Sequence, residues 1–315
     1  MHFTINKHSN SINGTFLLFG RGIFYKLLPG YLFERELKGY NFCKRYYPVA
    51  KLIFSVKFLN EFGVLVFWYE RSVGANRGLL IDILTDDNWI LQNNMLKRVL
   101  SLYKEVFSKT IVLDYGLTSS IFFQDRIKTR LKEFYSEEFI QWHNNESFFV
   151  NDHQVTLHLD KIIHGVEDFF QRKTKRWCIA SQCDPTDLNI GIKPMVFDYL
   201  VGGVNPLMAE FAVFFWQNLL QGSYLSPKYY PKVFHEHDRI FHQLDSVFLQ
   251  DRKIIHRIST VRAQFINRYI DFILKPILSS ISYKEWYDDF KHFLAVRILC
   301  VTDLNKMTQL DKEIS

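Results

Sequence analysis

Asp184, Asn189 and Asp198 are the residues of this sequence whose types and spacing point most directly to chemistry. The run Trp177-Cys178-Ile179-Ala180-Ser181-Gln182-Cys183-Asp184 reads as an apolar strand that leads into an acidic loop. Pro185-Thr186-Asp187-Leu188-Asn189 continues the loop, and a short hairpin leads to a second apolar strand, Met195-Val196-Phe197, that ends at Asp198. This layout brings two carboxyls and an amide to one edge. One carboxylate can meet a hydroxyl and take its proton, while the amide and the second carboxylate hold a divalent cation against phosphate oxygens.

The D-x-x-x-x-N spacing of Asp184 and Asn189, with an Asp after the next strand, resembles the catalytic loop of kinases. Residues 177–216 as a whole resemble the aminoglycoside phosphotransferase and choline kinase family of small-molecule kinases. The run Phe197-Asp198-Tyr199-Leu200-Val201-Gly202-Gly203-Val204-Asn205-Pro206 carries that family's metal-binding Asp and its Gly-x-Asn-Pro turn, and a helix opening near Glu210 follows. The resemblance implies Asp184 as catalytic base, Asn189 and Asp198 as magnesium ligands, and ATP or GTP as co-substrate. The acceptor it implies is a hydroxylated small molecule, aminoglycoside-, choline- or sugar-like.

There are departures from the family pattern. Gln182 stands where His is common, Cys183 where Gly or Asn is usual, Tyr199 follows the metal-binding Asp, Asp187 adds an acid inside the loop, and Glu210 replaces an Asp. Toward the N-terminus, Lys26 matches the phosphate-binding lysine, with Glu36 or Glu34 as its partner on the next helix. Those two acids lie two apart and point to different helix faces, so only one can serve. Ser9 and Ser11, in a segment with a single glycine, are the candidates to cradle phosphates, and Tyr69-Glu70 matches the hinge.

The elements that must position these groups follow from periodicity. Thr15–Phe19 and Gly22–Leu28 read as strands around a Gly20-Arg21-Gly22 turn, Leu32–Tyr46 as a helix stopping before Pro48, and Leu52–Lys57 and Gly63–Trp68 as two more strands. From about Leu79 to Phe170 the period is mostly helical, clearest at Met95–Phe107 and Asp125–Phe139. A strand-rich island spans Trp177–Asp198, and helices resume from Pro206, the longest at Asp238–Leu249 and Asp251–Leu274. The expected fold is therefore a bilobal, protein kinase-like α+β architecture. Residues 1–70 form a β-rich, nucleotide-binding N-lobe, and residues 71–315 form a helical C-lobe with the catalytic loop and substrate pocket.

Rival features are weaker. His235, Asp238 and His242 share one helical face but suit a solvated or capping role better than a metal site. Asp125 and Arg126 read as helix-surface charge. Trp286, Tyr287, Asp288 and Asp289 are candidates to meet a cationic or sugar-like substrate. A non-catalytic kinase-like protein that binds nucleotide or a partner is the alternative, favoured slightly by the glycine-poor loop.

The bulk composition sets the outer bounds. The 315 residues are 48% hydrophobic and 23% charged, with 30 Phe and 16 Tyr, which suits a large aromatic core. The net charge of +6 is mild, and its excess sits in residues 1–70, which attracts anions such as nucleotide phosphates. Charge alone does not make a nucleic-acid module, and none is recognisable, so no nucleic-acid partner is expected. Cys43, Cys178, Cys183 and Cys300 form no CxxC pair or zinc spacing, so free thiols are expected. The N-terminus lacks an apolar signal core, and Phe211–Trp216 is too short to span a bilayer, which together suggest a cytoplasmic protein without a membrane partner.

Overall fold

The structure is a computed structural model that describes residues 6–8, 11–18, 21–59, 61–68, 78–84, 89–145, 147–191, 193–219, 247–250, 253–256 and 260–301. The first lobe contains β1 (Asn6–His8), β2 (Ser11–Leu18), β3 (Arg21–Pro29), α1 (Gly30–Cys43), β4 (Lys51–Phe58) and β5 (Phe62–Trp68). Its five antiparallel strands lie in the order β1-β2-β3-β5-β4, so β3 is the central strand. Lys26 on β3 pairs with Asn13 on one side and Leu65 on the other. A one-residue slip would turn Lys26 to the opposite face, so the two ladders decide which face receives its ammonium.

The second lobe is mainly helical. It runs α2 (Leu80–Leu84), α3 (Trp89–Thr110), β6 (Val112–Asp114), α4 (Leu117–Phe134), α5 (Glu137–Asn145), β7 (Phe148–Val150), β8 (His153–Val155) and α6 (Leu159–Gln171). Next come β9 (Arg176–Ser181), β10 (Ile190–Gly191), β11 (Met195–Val196), β12 (Gly203–Pro206) and α7 (Leu207–Leu219). The chain continues with β13 (Val247–Gln250), β14 (Lys253–His256), α8 (Thr260–Tyr269), a π-helical turn at Ile270–Leu274, α9 (Lys275–Ile281) and α10 (Trp286–Val301). Three small sheets, β12-β9-β6, β10-β11 and β13-β14-β7-β8, stand among the helices. The expected bilobal α+β arrangement is thus the observed one. No helix among the described residues is long and apolar enough to cross a membrane.

One aromatic core underlies both parts. Tyr103, Phe107, Phe214, Phe265 and Tyr269 are fully buried, and the Phe214 and Tyr269 rings stack at 4.1 Å. All four cysteines are free and buried.

Several elements differ from the sequence reading. The predicted Asp125–Phe139 helix is two, because the chain breaks at Tyr135-Ser136, where Tyr135 is extended and its hydroxyl bonds the Leu299 carbonyl. The Gly-x-Asn-Pro segment is strand β12, not a turn, because Asn205 is held by Ser181, Val201 and Gly203 carbonyls across to β9. The predicted Asp251–Leu274 helix is observed from Thr260 to Leu274, but Lys253–His256 ahead of it are strand β14; of the predicted Asp238–Leu249 helix, Val247–Leu249 belong to β13 and the rest lies outside the described residues. Val247–Gln250 and Lys253–His256 pair antiparallel with Gln250 opposite Lys253, and four-residue runs suit strands better than a helix.

Helix α1 approaches the segment after Asp198 backbone to backbone. A Cβ at Gly39 would stand 1.8 Å from the Tyr199 carbonyl oxygen, and one at Gly202 would stand 2.9 Å from the Gly39 carbonyl. Two glycines therefore set how close the helix carrying Glu36 comes to Asp198. Gly39→Ala should push the two apart and cost on the order of 1–3 kcal/mol or more, as overpacking against fixed backbone does. Lys38→Ala, on the exposed face of the same helix, should stay within about 0.5 kcal/mol of wild type. Urea unfolding of both variants checks this, and equal stabilities would refute the close-approach argument.

Candidate functional site

The site lies where β3, α1, the loop after β9 and the segment after β11 converge. Strand pairing points Lys26 inward, and its Nζ forms an ion pair with Glu36 Oε2 at 2.9 Å and donates to Asp198 Oδ1 at 3.1 Å. The other Glu36 oxygen accepts the Tyr199 backbone N–H at 3.1 Å. Glu36, not Glu34, is therefore the lysine's partner. Glu34 pairs with Lys57 on the exposed face. Burial works against the Lys26 charge, but Asp198 and Glu36 outweigh it and raise the lysine's pKa. Burial likewise opposes ionisation of Asp198, yet the lysine holds that carboxyl below its ordinary range. Asp198 also sits at φ 58°, a left-handed conformation that a non-glycine residue keeps only when its surroundings demand it.

The loop after β9 supplies Asp184 and Asn189. The Asn189 amide nitrogen donates to Asp184 Oδ2 at 2.9 Å and to the Asp184 carbonyl at 3.1 Å, and Gln182 Nε2 donates to the same carbonyl at 2.9 Å. Cys183 adopts φ 58°, so the position where the family uses Gly or Asn needs the backbone those residues adopt cheaply. Asp187, the extra acid, is no part of the site's chemistry. It forms a fully buried ion pair with Arg262 at 2.9 Å, and Arg262 also bonds the Asn218 carbonyl at 3.1 Å. The loop is thereby tied down onto α7 and α8. Asp184 has a partner that the sequence reading missed, Arg297 of α10, whose Nη2 lies 2.8 Å from Oδ1. Burial pushes the Asp184 pKa up despite this arginine. The only sequence signal for Arg297 is a charge inside the apolar run Phe293–Cys300.

A cavity of about 260 Å³ opens between the lobes, lined by Lys26, Glu36, Asn189 and Asp198 together with Phe24, Ala50, Phe67, Leu188 and Phe197. Its apolar walls and polar end are the layout of a small-ligand pocket. Asn13 and Thr15 of β2 also line it. Ser11 does not: it opens β2, paired with His8, so the segment expected to be a phosphate loop is strand from Ser11 onward. Ser9, Tyr69, Glu70 and the His235–His242 cluster lie outside the described residues.

Two expectations fail here. Asp289 is committed to Arg176 at 3.3 Å and to the Tyr283 hydroxyl, and Asp288 pairs with Lys291. The Trp286–Asp289 end of α10 therefore lies away from Asp184: ten residues separate Tyr287 from Arg297, about 15 Å of helix. Asp125 is exposed as expected, but Arg126 is not a surface charge. It is partly buried, with its guanidinium 4.2 Å from the Phe122 ring centroid.

Beneath the loop sits Glu210 of α7, fully buried. The Ser181 hydroxyl and the Cys183 backbone face it, yet neither carboxyl oxygen has a well-formed hydrogen bond among the described residues. Burial pushes its pKa up to about 8.

No protein-family profile matches the sequence, and no curated protein sequence matches it. Solved structures do. A type VIII aminoglycoside-3'-phosphotransferase aligns with a TM-score of 0.49 at 11% identity, over 94% of this chain and 93% of its own. The apo form of a thermostable mutant of aminoglycoside phosphotransferase APH(4)-Ia aligns with a TM-score of 0.46 at 10% identity, over 96% of both chains. Spectinomycin phosphotransferase APH(9)-Ia, solved with ADP and spectinomycin, aligns with a TM-score of 0.45 at 10% identity, over 97% of this chain and 93% of its own.

A buried acid with a raised pKa makes stability depend on pH in a known direction. Glu210 binds its proton in the folded state up to about pH 8, whereas an unfolded glutamate loses it near 4.5. The folded state holds more protons across that window, so this contribution is full below pH 4.5 and is lost as the pH rises through 8. Glu210→Gln keeps the protonated shape and removes the titration. Relative to wild type, it should gain stability between pH 5 and 8 by roughly 1 kcal/mol per pH unit. Unfolding free energies measured at pH 5, 7 and 9 test this, and a pH-independent difference between the proteins would contradict it.

Proposed function

We propose that this protein is an ATP-dependent phosphotransferase that phosphorylates a hydroxyl of a small molecule. The observation that carries the reading is the convergence of Lys26, Glu36, Asp198 and Asn189 on one cavity between two lobes, with Asp184 hydrogen-bonded to Asn189. In this reading the apolar walls at Phe24, Ala50, Phe67 and Leu188 take the nucleotide base, and Lys26, held by Glu36, meets the phosphates.

The oxygen donors suit magnesium. Asp198 and Asn189 both line the cavity, and the amide nitrogen of Asn189 is committed to Asp184, which leaves its oxygen end for a cation. Such a hard ion takes a few protein oxygens and completes its shell with phosphate and water. When bound, magnesium neutralises charge on the phosphates. The remaining chemistry falls to the chain's own groups. Asp184 Oδ2, oriented by Asn189, accepts the proton of the attacking hydroxyl, and Lys26 stays positive throughout and stabilises the phosphates.

A small acceptor is favoured over a protein. A peptide substrate needs a platform after the metal-binding Asp. Here Asp198 is followed at once by strand β12 at Gly203–Pro206 and helix α7 from Leu207.

Two variants separate the roles. Asp184→Asn keeps the shape and removes the base, so turnover should fall by roughly 10²–10⁴-fold while Mg-ATP affinity stays within a few-fold. An ATP-consumption screen across hydroxylated metabolites reads the first and calorimetry the second; wild-type turnover in this variant ends the assignment. Asp198→Ala should weaken Mg-ATP binding itself, and Asn189→Ala should weaken it less, because a neutral amide holds metal less strongly. Unchanged Mg-ATP affinity in Asp198→Ala would mean that the hairpin is purely structural, and would favour a non-catalytic kinase-like protein.

A further inference from the structure

Arginines gather on the side of Asp184 away from the nucleotide cavity. Arg126 and Arg130 lie one turn apart on one face of α4. Arg130 Nη1 donates to the Cys300 carbonyl of α10 at 2.7 Å. One turn earlier on α10, Arg297 reaches Asp184 at 2.8 Å. A contiguous set of contacts thus runs from α4 through the end of α10 to the proposed base. From the other lobe, Arg35 of α1 faces the same Phe122 ring that Arg126 covers, at 5.8 Å.

The other buried arginines of this protein show what a structural role looks like. Arg262 is spent on Asp187 and the Asn218 carbonyl, and Arg176 on Asp289 and the Thr174 carbonyl. Arg297 differs. It is 8% exposed, and the carboxylate it meets among the described residues is the proposed base itself. Arg126 has a ring beneath it and, among the described residues, no carboxylate of its own. Burial above all, and then Arg130 and Arg297, push its pKa down to about 10, with Asp184 pulling the other way. Like charges held this close are costly unless an anion completes the group.

Resting on the phosphotransferase reading, we infer that the acceptor is itself an anion, a hydroxylated small molecule bearing a phosphate or carboxylate that sits on Arg126, Arg130 and Arg297 and presents its hydroxyl to Asp184. Planar guanidiniums are the groups that fork onto such oxyanions. A cationic acceptor, such as an amino sugar or choline, would be repelled by the same cluster.

The test uses the full-length protein loaded with Mg²⁺ and a non-hydrolysable ATP analogue, in low-salt buffer free of phosphate and sulfate. Glycerol 3-phosphate and glycerate serve as anionic hydroxyl compounds, one for each oxyanion, and choline and glucosamine as cationic ones. Calorimetry should show binding of at least one acid and of neither cation, and the acid that binds tells phosphate from carboxylate. The double variant Arg126→Gln/Arg130→Gln should weaken that binding about tenfold or more while leaving Mg-ATP affinity within twofold. If it does not fold, Arg126→Lys keeps the charge and loses the fork, and should give a smaller loss in the same direction. Binding of a cation in preference to both acids, binding of neither acid, or equal acid binding by the variants overturns the inference. Loss of acid binding with Mg-ATP binding intact leaves the phosphotransferase reading standing. Acid binding without Mg-ATP binding defeats that reading and leaves an anion site.

Discussion

Lys26 carries its charge into a buried position because carboxylates from two different elements meet it there, Glu36 from α1 and Asp198 from the segment after β11. Removing Lys26 would leave the buried Glu36 carboxylate without its cation, which costs roughly 3–5 kcal/mol for a broken buried pair. The rest of the site depends on this meeting. β3 must be the central strand for Lys26 to be enclosed, α1 must lie close enough for Glu36 to reach both Lys26 and the Tyr199 N–H, and Asp198 must tolerate a left-handed backbone. The Gly39–Gly202 approach is the steric counterpart of the ion triad, since any side chain there would hold the helix away from the acid it has to meet.

The loop bearing Asp184 is held from behind by a separate set of contacts. Asp187 binds Arg262, Asn218 bonds the Pro185 carbonyl, and the Asp187 carbonyl accepts the Ile81 N–H. The contacts to Asn218 and Arg262 are buried against α7 and α8, and that to Ile81 comes from α2, so they fix the loop without using the residues that line the cavity. The division has a physical logic. Groups that must exchange partners during a reaction are kept apart from groups whose only task is to keep the loop in place, and the latter can be fully desolvated because they never need to let go.

Much of this arrangement was legible in the sequence. The local alternation of β2, β3, β4 and β5 and the helical period of α1 survive into the structure, and so does the Asp184–Asn189–Asp198 spacing, because each is set by short-range pattern. What the sequence did not disclose is long-range pairing. Arg262 and Arg297 lie 75 and 113 residues from their partners, and nothing local marks them except a charge inside an apolar helical run. The β13-β14 hairpin was misread because two four-residue apolar runs carry too few residues to separate a period of 2 from one of 3.6. Arg126 was misjudged because part of its environment, the charge of Arg297, comes from α10, far along the chain, beside the Phe122 ring of its own helix.

The proposed base stands between opposing influences. Burial raises the Asp184 pKa and Asp198 raises it further, while Arg297 and Arg126 pull it down. A carboxylate that is to accept a hydroxyl proton works best with its proton affinity neither too low nor so high that it is already protonated. The guanidinium of Arg297 lies 2.8 Å from Asp184 Oδ1 and opposes that rise. An acceptor anion that takes a share of that guanidinium removes part of its pull on Asp184. On the proposed reading the proton affinity of the base would then rise as the hydroxyl arrives, and an acceptor without the anionic group would leave Arg297 on the base. On that reading selection by charge and activation of the base would be the same event, which requires only that one arginine serve two negative partners in turn.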